Sequence, residues 1–123
     1  MISKKTVLEI HDILIERFGG AKGIRDYELL DSALNRPFQT FDAQELYPSP
    51  IDKAAAILES IVKNHPFIDG NKRTGYVLAR LILMDNKLDI HADQEQKYQF
   101  VKLISSGDIK FVQIREWLNE NSR

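Results

Sequence analysis

Apolar residues are spaced along this chain as they are in helices with one buried face. They recur every three or four positions, and capping or turn residues bound six such segments. The segments predicted to be helical are 6–18, 27–35, 50–64, 71–85, 93–104 and 109–119. No strand-period run of useful length is present. The pattern therefore predicts a single all-α domain over residues 1–123, a compact bundle of about six helices.

Residues 36–49 depart from the helical pattern. Pro37 and Pro48 bracket this segment, which contains the aromatic residues Phe38 and Phe41. An irregular segment of this length in a compact domain is often a lid or a binding edge. The alternative interpretation is that its aromatic side chains pack on the core.

A polar loop lies between the two most apolar helical segments, 50–64 and 71–85. Residues 65–73 contain an imidazole, a carboxylate, a glycine, an amide and two cations, and the apolar run 76–84 follows them. That run predicts a buried central helix, so the polar loop lies where this helix begins. A helix N-terminus has unpaired N–H groups and a partial positive charge, which makes it a site for anions such as phosphate.

The first turn of this helix carries features that suit an anionic ligand. Gly70 can adopt a positive φ and lets a ligand approach the backbone. Asn71 can cap the helix or direct its amide at an anion. Lys72 and Arg73 place two cations where the helix dipole opposes them. An anion would explain this placement, and so would side chains that simply extend into solvent.

Two residues add reactive groups to the loop. Asp69 is a hard oxygen ligand of the kind that Mg²⁺ uses beside phosphates. His65 can accept a proton from an attacking hydroxyl. Together these groups indicate nucleotide-dependent group transfer to a hydroxyl. The structural alternative is that His65 is a packed histidine, Asp69 or Asn71 a helix cap and Gly70 part of a turn.

A second histidine, His11, lies on the apolar stripe of the first helix. It is expected to be a packed structural histidine.

Composition narrows the remaining possibilities. The 123 residues include no cysteine, and 17 basic against 18 acidic residues give a net charge of −1. A disulfide-rich fold is therefore not expected, and no direct nucleic-acid partner is expected either. No signal peptide or membrane-length apolar run is evident, so we expect a cytoplasmic location without membrane association.

The stretch His-Pro-Phe-Ile-Asp-Gly-Asn-Lys-Arg resembles the central motif of the Fic/Doc (Fido) family. The residues that match in register are His65, Phe67, Asp69, Gly70, Asn71 and Arg73. Residues 29–37, Tyr47-Pro48 and the chain length resemble the short death-on-curing branch, so the resemblance covers nearly the whole chain. It implies a helical fold with the motif between two core helices.

The resemblance also implies roles for individual residues. His65 would be the general base toward a Ser, Thr or Tyr hydroxyl of a target protein, and Asp69 would hold Mg²⁺ on the phosphates of ATP. Phosphate would be bound by Gly70 and Asn71, as part of an anion hole, and by Arg73, while Phe67 would anchor the loop. A flap that positions the target by strand-like pairing would comprise Phe38, Gln39, Thr40 and Phe41.

Two departures bear on which group is transferred. Members that transfer AMP commonly have Gly-Asn-Gly-Arg-x-x-Arg, whereas this chain has Lys72 at the second glycine and Tyr76 at the second arginine. Asn-Lys-Arg is similar to the death-on-curing branch, which transfers the terminal phosphate of ATP and has elongation factor Tu as its known target class. Gly70 departs from that branch, which has alanine there.

The family's self-inhibitory motif, [S/T]-x-x-x-E-[G/N], is not found, because Glu116 stands where Glu120 would require a hydroxyl residue. Inhibition would then come from a small antitoxin. The sequence therefore indicates a toxin of a type II toxin–antitoxin system that transfers phosphate from Mg²⁺-ATP, with Lys72 joining the phosphate-binding residues. AMP transfer is one alternative, and a non-catalytic helical interaction module is the other.

Overall fold

The computed structural model describes residues 2–123 and confirms the all-α prediction. Its six helices are α1 (Lys4–Phe18), α2 (Tyr27–Asn35), α3 (Pro50–Asn64), α4 (Asn71–Asp85), α5 (Gln94–Ser106) and α6 (Phe111–Asn121). Serine and aspartate caps fix several helix starts, since Ser3, Asp26, Ser49 and Asp93 each accept a backbone N–H in the first turn. Apolar periodicity and capping therefore located all six helices.

The irregular segment contains a small hairpin that the sequence pattern did not reveal. After a 3₁₀ turn at Arg36–Phe38, strand β1 (Thr40–Phe41) pairs antiparallel with β2 (Gln44–Glu45). Asp42 and Ala43 connect the strands with positive φ values of 53° and 63°. Two-residue strands are too short to show an alternating pattern, which explains why no strand was predicted here.

Helix α3 lies at the centre of the bundle, and it contacts α2, α4, α5 and α6. The expectation that residues 71–85 form the buried central helix holds only for one face of α4, because Met84 at its end is 48% exposed. Gly75 of α4 allows the two helices to approach closely. A Cβ at this position would lie 3.0 Å from Val62 Cγ2 and 3.3 Å from Ile61 Cβ.

A salt bridge closes the C-terminal part of the fold. Arg80 donates from Nε and Nη2 to the two carboxylate oxygens of Asp89, at 2.8 and 2.9 Å. The backbone of Asp89 in turn pairs in both directions with Arg123. The guanidinium of Arg80 is the main reason that the pKa of Asp89 falls to about 2.

None of the helices in residues 2–123 is long and apolar enough to cross a membrane.

We expect this salt bridge to make stability depend on pH in acid. The pKa of Asp89 is about 2 in the folded protein against an ordinary value of 3.8, so its contribution is present above about pH 4 and is lost as the pH falls toward 2. Both groups are partly exposed, so Asp89→Asn should lower the free energy of unfolding by about 1 kcal/mol or less at pH 7. Urea unfolding from pH 2 to pH 7 measures this. Arg80→Gln should flatten the same part of the profile, and an unchanged slope would contradict the assignment.

Candidate active site

The loop between α3 and α4 is bounded by two residues in the left-handed conformation. His65 ends α3 with φ 50° and ψ 58°, and Gly70 precedes α4 with φ 74° and ψ 19°. The left-handed conformation is unfavourable by about 1–2 kcal/mol for a residue with a Cβ. The side chain of His65 is exposed, because the chain leaves the helix there and turns toward Pro66. The backbone N–H of His65 still bonds to the carbonyl of Ile61 in α3 at 3.3 Å, and further contacts reach it from outside this helix.

The connector between α1 and α2 supports the loop through its backbone. The carbonyl of Pro66 accepts the N–H groups of Arg25 and Asp26 at 2.7 and 3.0 Å, and Ile68 donates to the carbonyl of Gly23 at 3.1 Å. The side chain of Arg25 adds two further bonds, from Nε to the carbonyl of His65 at 2.6 Å and from Nη2 to that of Asn64 at 2.7 Å. No local signal in the sequence predicted these contacts, because they join residues about 40 positions apart.

The inner side of the loop is anchored by aromatic residues. Phe67 is fully buried, in keeping with the anchoring role expected for it. His11 of α1 is 2% exposed and stacks on the Phe67 ring, with centroids 3.9 Å apart. Its Nε2–H donates to the carbonyl of Asp69 at 2.7 Å. His11 is thus a packed histidine, as expected from its place on the apolar stripe, and it also ties α1 to the loop.

Asn71 has a different contact from the helix cap that its position suggested. Its amide is buried, accepting the N–H of Phe67 and donating to the carbonyl of Phe67, both at 3.0 Å. Both polar atoms of the side chain therefore hold the loop closed and are turned away from an anion. Gly70 precedes α4 instead, and no side chain among residues 2–123 caps this helix. The side chain of Asn71 is therefore not available to an anion, and its backbone N–H is the group of this residue that could contribute to an anion hole.

Asp69 is exposed, and its carboxylate is oriented by two backbone donors. Oδ1 accepts the N–H of Gly70 at 2.9 Å, and Oδ2 accepts that of Ala21 at 3.2 Å. The close approach requires glycine at position 20, where a Cβ would lie 2.7 Å from Oδ2. Residues 2–123 hold no group of three or more potential protein metal ligands. One exposed carboxylate fits Mg²⁺, which takes one or two carboxylates and fills its shell with phosphate oxygens and water.

Lys72 and Arg73 are exposed at the start of α4, and within residues 2–123 neither forms an ion pair. The guanidinium of Arg73 lies over the ring of Phe18, 4.3 Å from its centroid. Both cations line a cleft of about 550 Å³ between α1, α4 and α5, to which α5 adds Lys97 and Lys102. The first turn of α4 thus combines an uncapped helix end with unneutralised positive charge.

A family model described as the Fic/DOC family matches residues 1–83, which include the whole loop. The chain belongs to the Fic/DOC family. Its relatives include "Toxin Doc" of Mycolicibacterium smegmatis, with 46% identity over 76 residues, 62% of this chain and 58% of that protein. "Protein kinase doc" of Escherichia phage P1 is 30% identical over 94 residues, 76% of this chain and 74% of that one.

The Fic/DOC relatives also include enzymes that carry another name. "Protein adenylyltransferase Fic" of Drosophila grimshawi is 37% identical over 65 residues, 50% of this chain but only 14% of the fly protein. The chain also spans little more than half of the mycobacterial relative's length. The comparisons therefore place this chain in the family and leave the transferred group open.

The segment that contains the expected flap residues begins at the end of α4 opposite to the loop of residues 65–70. Phe38 lines a cavity of about 630 Å³ together with Asp85 and Asn86, at the C-terminal end of α4. His65 is near the other end of this 15-residue helix, which spans about 22 Å. Gln39 hydrogen-bonds Leu46 across the hairpin that contains Thr40 and Phe41. The structure thus places the start of this segment away from His65, and a role of Phe38, Gln39, Thr40 and Phe41 in positioning a target stays a prediction.

We expect His11→Ala to destabilise this protein by about 2–4 kcal/mol, since it removes a buried ring and leaves the carbonyl of Asp69 without its donor. Urea unfolding at pH 7 measures the free energy of unfolding. His91→Ala, at an exposed histidine, is the matched control and should change it by no more than about 0.5 kcal/mol. Equal effects of the two substitutions would show that His11 does not hold the loop.

Proposed function

We propose that this Fic/DOC protein is a Mg²⁺- and ATP-dependent transferase that moves the terminal phosphate to a Ser or Thr hydroxyl of a target protein. The observation that carries the proposal is the uncapped start of α4, where Lys72 and Arg73 form no ion pair within residues 2–123, directly after the loop that begins with exposed His65. A polyphosphate would satisfy the helix N–H groups and both cations at once.

Each group of the loop has a defined part in the proposed reaction. The target oxygen bonds to the terminal phosphorus, the bond from that phosphorus to the bridging oxygen breaks, and ADP leaves. The hydroxyl proton passes to the imidazole of His65. The side chains of Lys72 and Arg73, with the backbone N–H groups of the first turn of α4 that begins at Asn71, would stabilise the charge on the phosphates. Mg²⁺, held by Asp69, would neutralise phosphate charge and orient the leaving group.

Two side chains favour phosphate over AMP as the transferred group. Lys72 puts a side chain where AMP-transferring members have glycine, and Tyr76 takes the place of an arginine. A tyrosine hydroxyl carries no positive charge, so Tyr76 supplies no cationic phosphate clamp, and burial raises the pKa of this hydroxyl further. The relative from phage P1 is named a protein kinase. AMP transfer is the second candidate, favoured by the similarity to the fly adenylyltransferase.

The biological role we propose is that of a toxin in a type II toxin–antitoxin system, with elongation factor Tu as the target and a small antitoxin as the inhibitor. The mycobacterial relative named "Toxin Doc" supports the toxin role. The antitoxin belongs to the same proposal, because a toxin of such a system is held inactive by a separate protein.

The function is tested by the intact mass of elongation factor Tu after incubation with this protein, Mg²⁺ and ATP. We expect a gain of one phosphate, and His65→Ala should lower the rate of this gain by about 10²- to 10⁴-fold. His91→Ala is the control at an exposed histidine and should leave the rate unchanged. An AMP adduct would contradict phosphate transfer. An adduct formed at an unchanged rate by His65→Ala would contradict the role of His65 as general base. The absence of any adduct would contradict elongation factor Tu as the target.

The choice of transferred group is tested by the double variant Lys72→Gly/Tyr76→Arg. It opens space at the start of α4 and restores a bidentate cation, so we expect AMP transfer to rise relative to phosphate transfer. Mass spectrometry of the modified target measures the ratio of the two adducts. Lys97→Gly, at another lysine of the same cleft, is the control. An unchanged ratio would show that positions 72 and 76 do not decide the chemistry.

A further inference from the structure

We propose that Arg25 is a positioning residue for His65 and sets the rate of the transfer step without touching the reacting atoms. The inference rests on the proposed function only for its kinetic consequence. Its structural basis is independent, because Arg25 is the side chain that binds the backbone of His65 from outside α3.

The guanidinium of Arg25 forms two hydrogen bonds at the C-terminal end of α3. Nε donates to the carbonyl of His65 at 2.6 Å, and Nη2 donates to the carbonyl of Asn64 at 2.7 Å. These carbonyls are at a helix C-terminus, where the last four have no partner in the helix and carry partial negative charge. A planar, permanently charged fork is well suited to two adjacent acceptors, whereas a lysine ammonium binds them as a single point charge.

The main chain of the same segment holds the next residue. The N–H groups of Arg25 and Asp26 both donate to the carbonyl of Pro66. The side chain and backbone of Arg25 therefore fix the carbonyls of three consecutive residues, Asn64 to Pro66. The middle one is the left-handed residue that carries the candidate base, and its φ of 50° is uncommon for a residue with a side chain.

The role is specific to positioning because Arg25 contributes little to the core. Its side chain is exposed, and its side-chain hydrogen bonds go to backbone carbonyls. Asn71 and His11 hold the later part of the loop, at Phe67 and Asp69. Loss of Arg25 should thus free His65 while the rest of the loop and the cations of α4 keep their places.

The test uses the full chain with three substitutions, Arg25→Gln, Arg25→Lys and Arg80→Gln. Arg80 is the matched control, an exposed arginine that forms a bidentate contact on the same protein at some distance from the loop. Two readouts are needed: steady-state kinetics of transfer from ATP, and backbone and imidazole NMR signals of His65. Circular dichroism shows whether each variant keeps its helices.

We expect Arg25→Gln to lower kcat by about 10- to 100-fold with the KM for ATP unchanged, because misplacement of a reacting group by about 1 Å has an effect of this size. The NMR signals of His65 should move away from left-handed values. Arg25→Lys should restore part of kcat, and Arg80→Gln should change neither readout.

The outcomes separate this inference from the proposed function. The positioning role of Arg25 would be overturned if Arg25→Gln had the His65 NMR signals and the kcat of the wild-type protein. It would also be overturned if kcat fell only in proportion to the helix content measured by circular dichroism. If the wild-type protein transfers nothing, the proposed function fails, and the NMR comparison of Arg25→Gln with Arg80→Gln alone decides whether Arg25 positions His65. If Arg25→Gln does not fold, Arg25→Lys is compared with Arg80→Gln in the same way.

Discussion

The close contact between α3 and α4 is the constraint on which the rest of the structure depends. Gly75 has no side chain, so α4 lies directly against Ile61 and Val62 of α3. This contact is near the ends of the two helices that the loop of residues 65–70 joins. It fixes the distance between the last turn of α3 and the first turn of α4. The six-residue loop 65–70 then connects His65 to the N-terminus of α4.

The loop between these helices uses its own polar groups for structure and leaves its outer groups free. Asn71 and the carbonyls of Pro66 and Asp69 bind backbone groups or His11. Lys72, Arg73 and the N–H groups of α4 are left without side-chain partners of opposite charge among the described residues. The inner polar groups of the loop are thus held by hydrogen bonds, while its outer cations and N–H groups have no such partners in the described part of the chain. This arrangement is preorganised for a negatively charged ligand. That arrangement explains how a small helical domain could support phosphate chemistry.

Local sequence signals were sufficient for the helices and for the position of the polar loop between α3 and α4. Apolar periodicity and caps located every helix, and the position of His11 on an apolar stripe indicated its burial. Other features depend on contacts between residues far apart in the chain. Arg25 meets His65 across 40 positions, and the hairpin is carried to the far end of α4 by the direction of α2. The burial of Asn71 was missed because a helix-capping residue and a loop-closing one look alike in sequence.

The measurement that tests the central claim most directly is a crystal structure with Mg²⁺ and a non-hydrolysable ATP analogue. The account predicts phosphates at the start of α4, in contact with Lys72 and Arg73, with Mg²⁺ on Asp69 and the terminal phosphate nearest to His65. A nucleotide whose phosphates lie outside the loop of residues 65–73 would contradict the account. An α-phosphate nearest to His65 would contradict the transfer of the terminal phosphate.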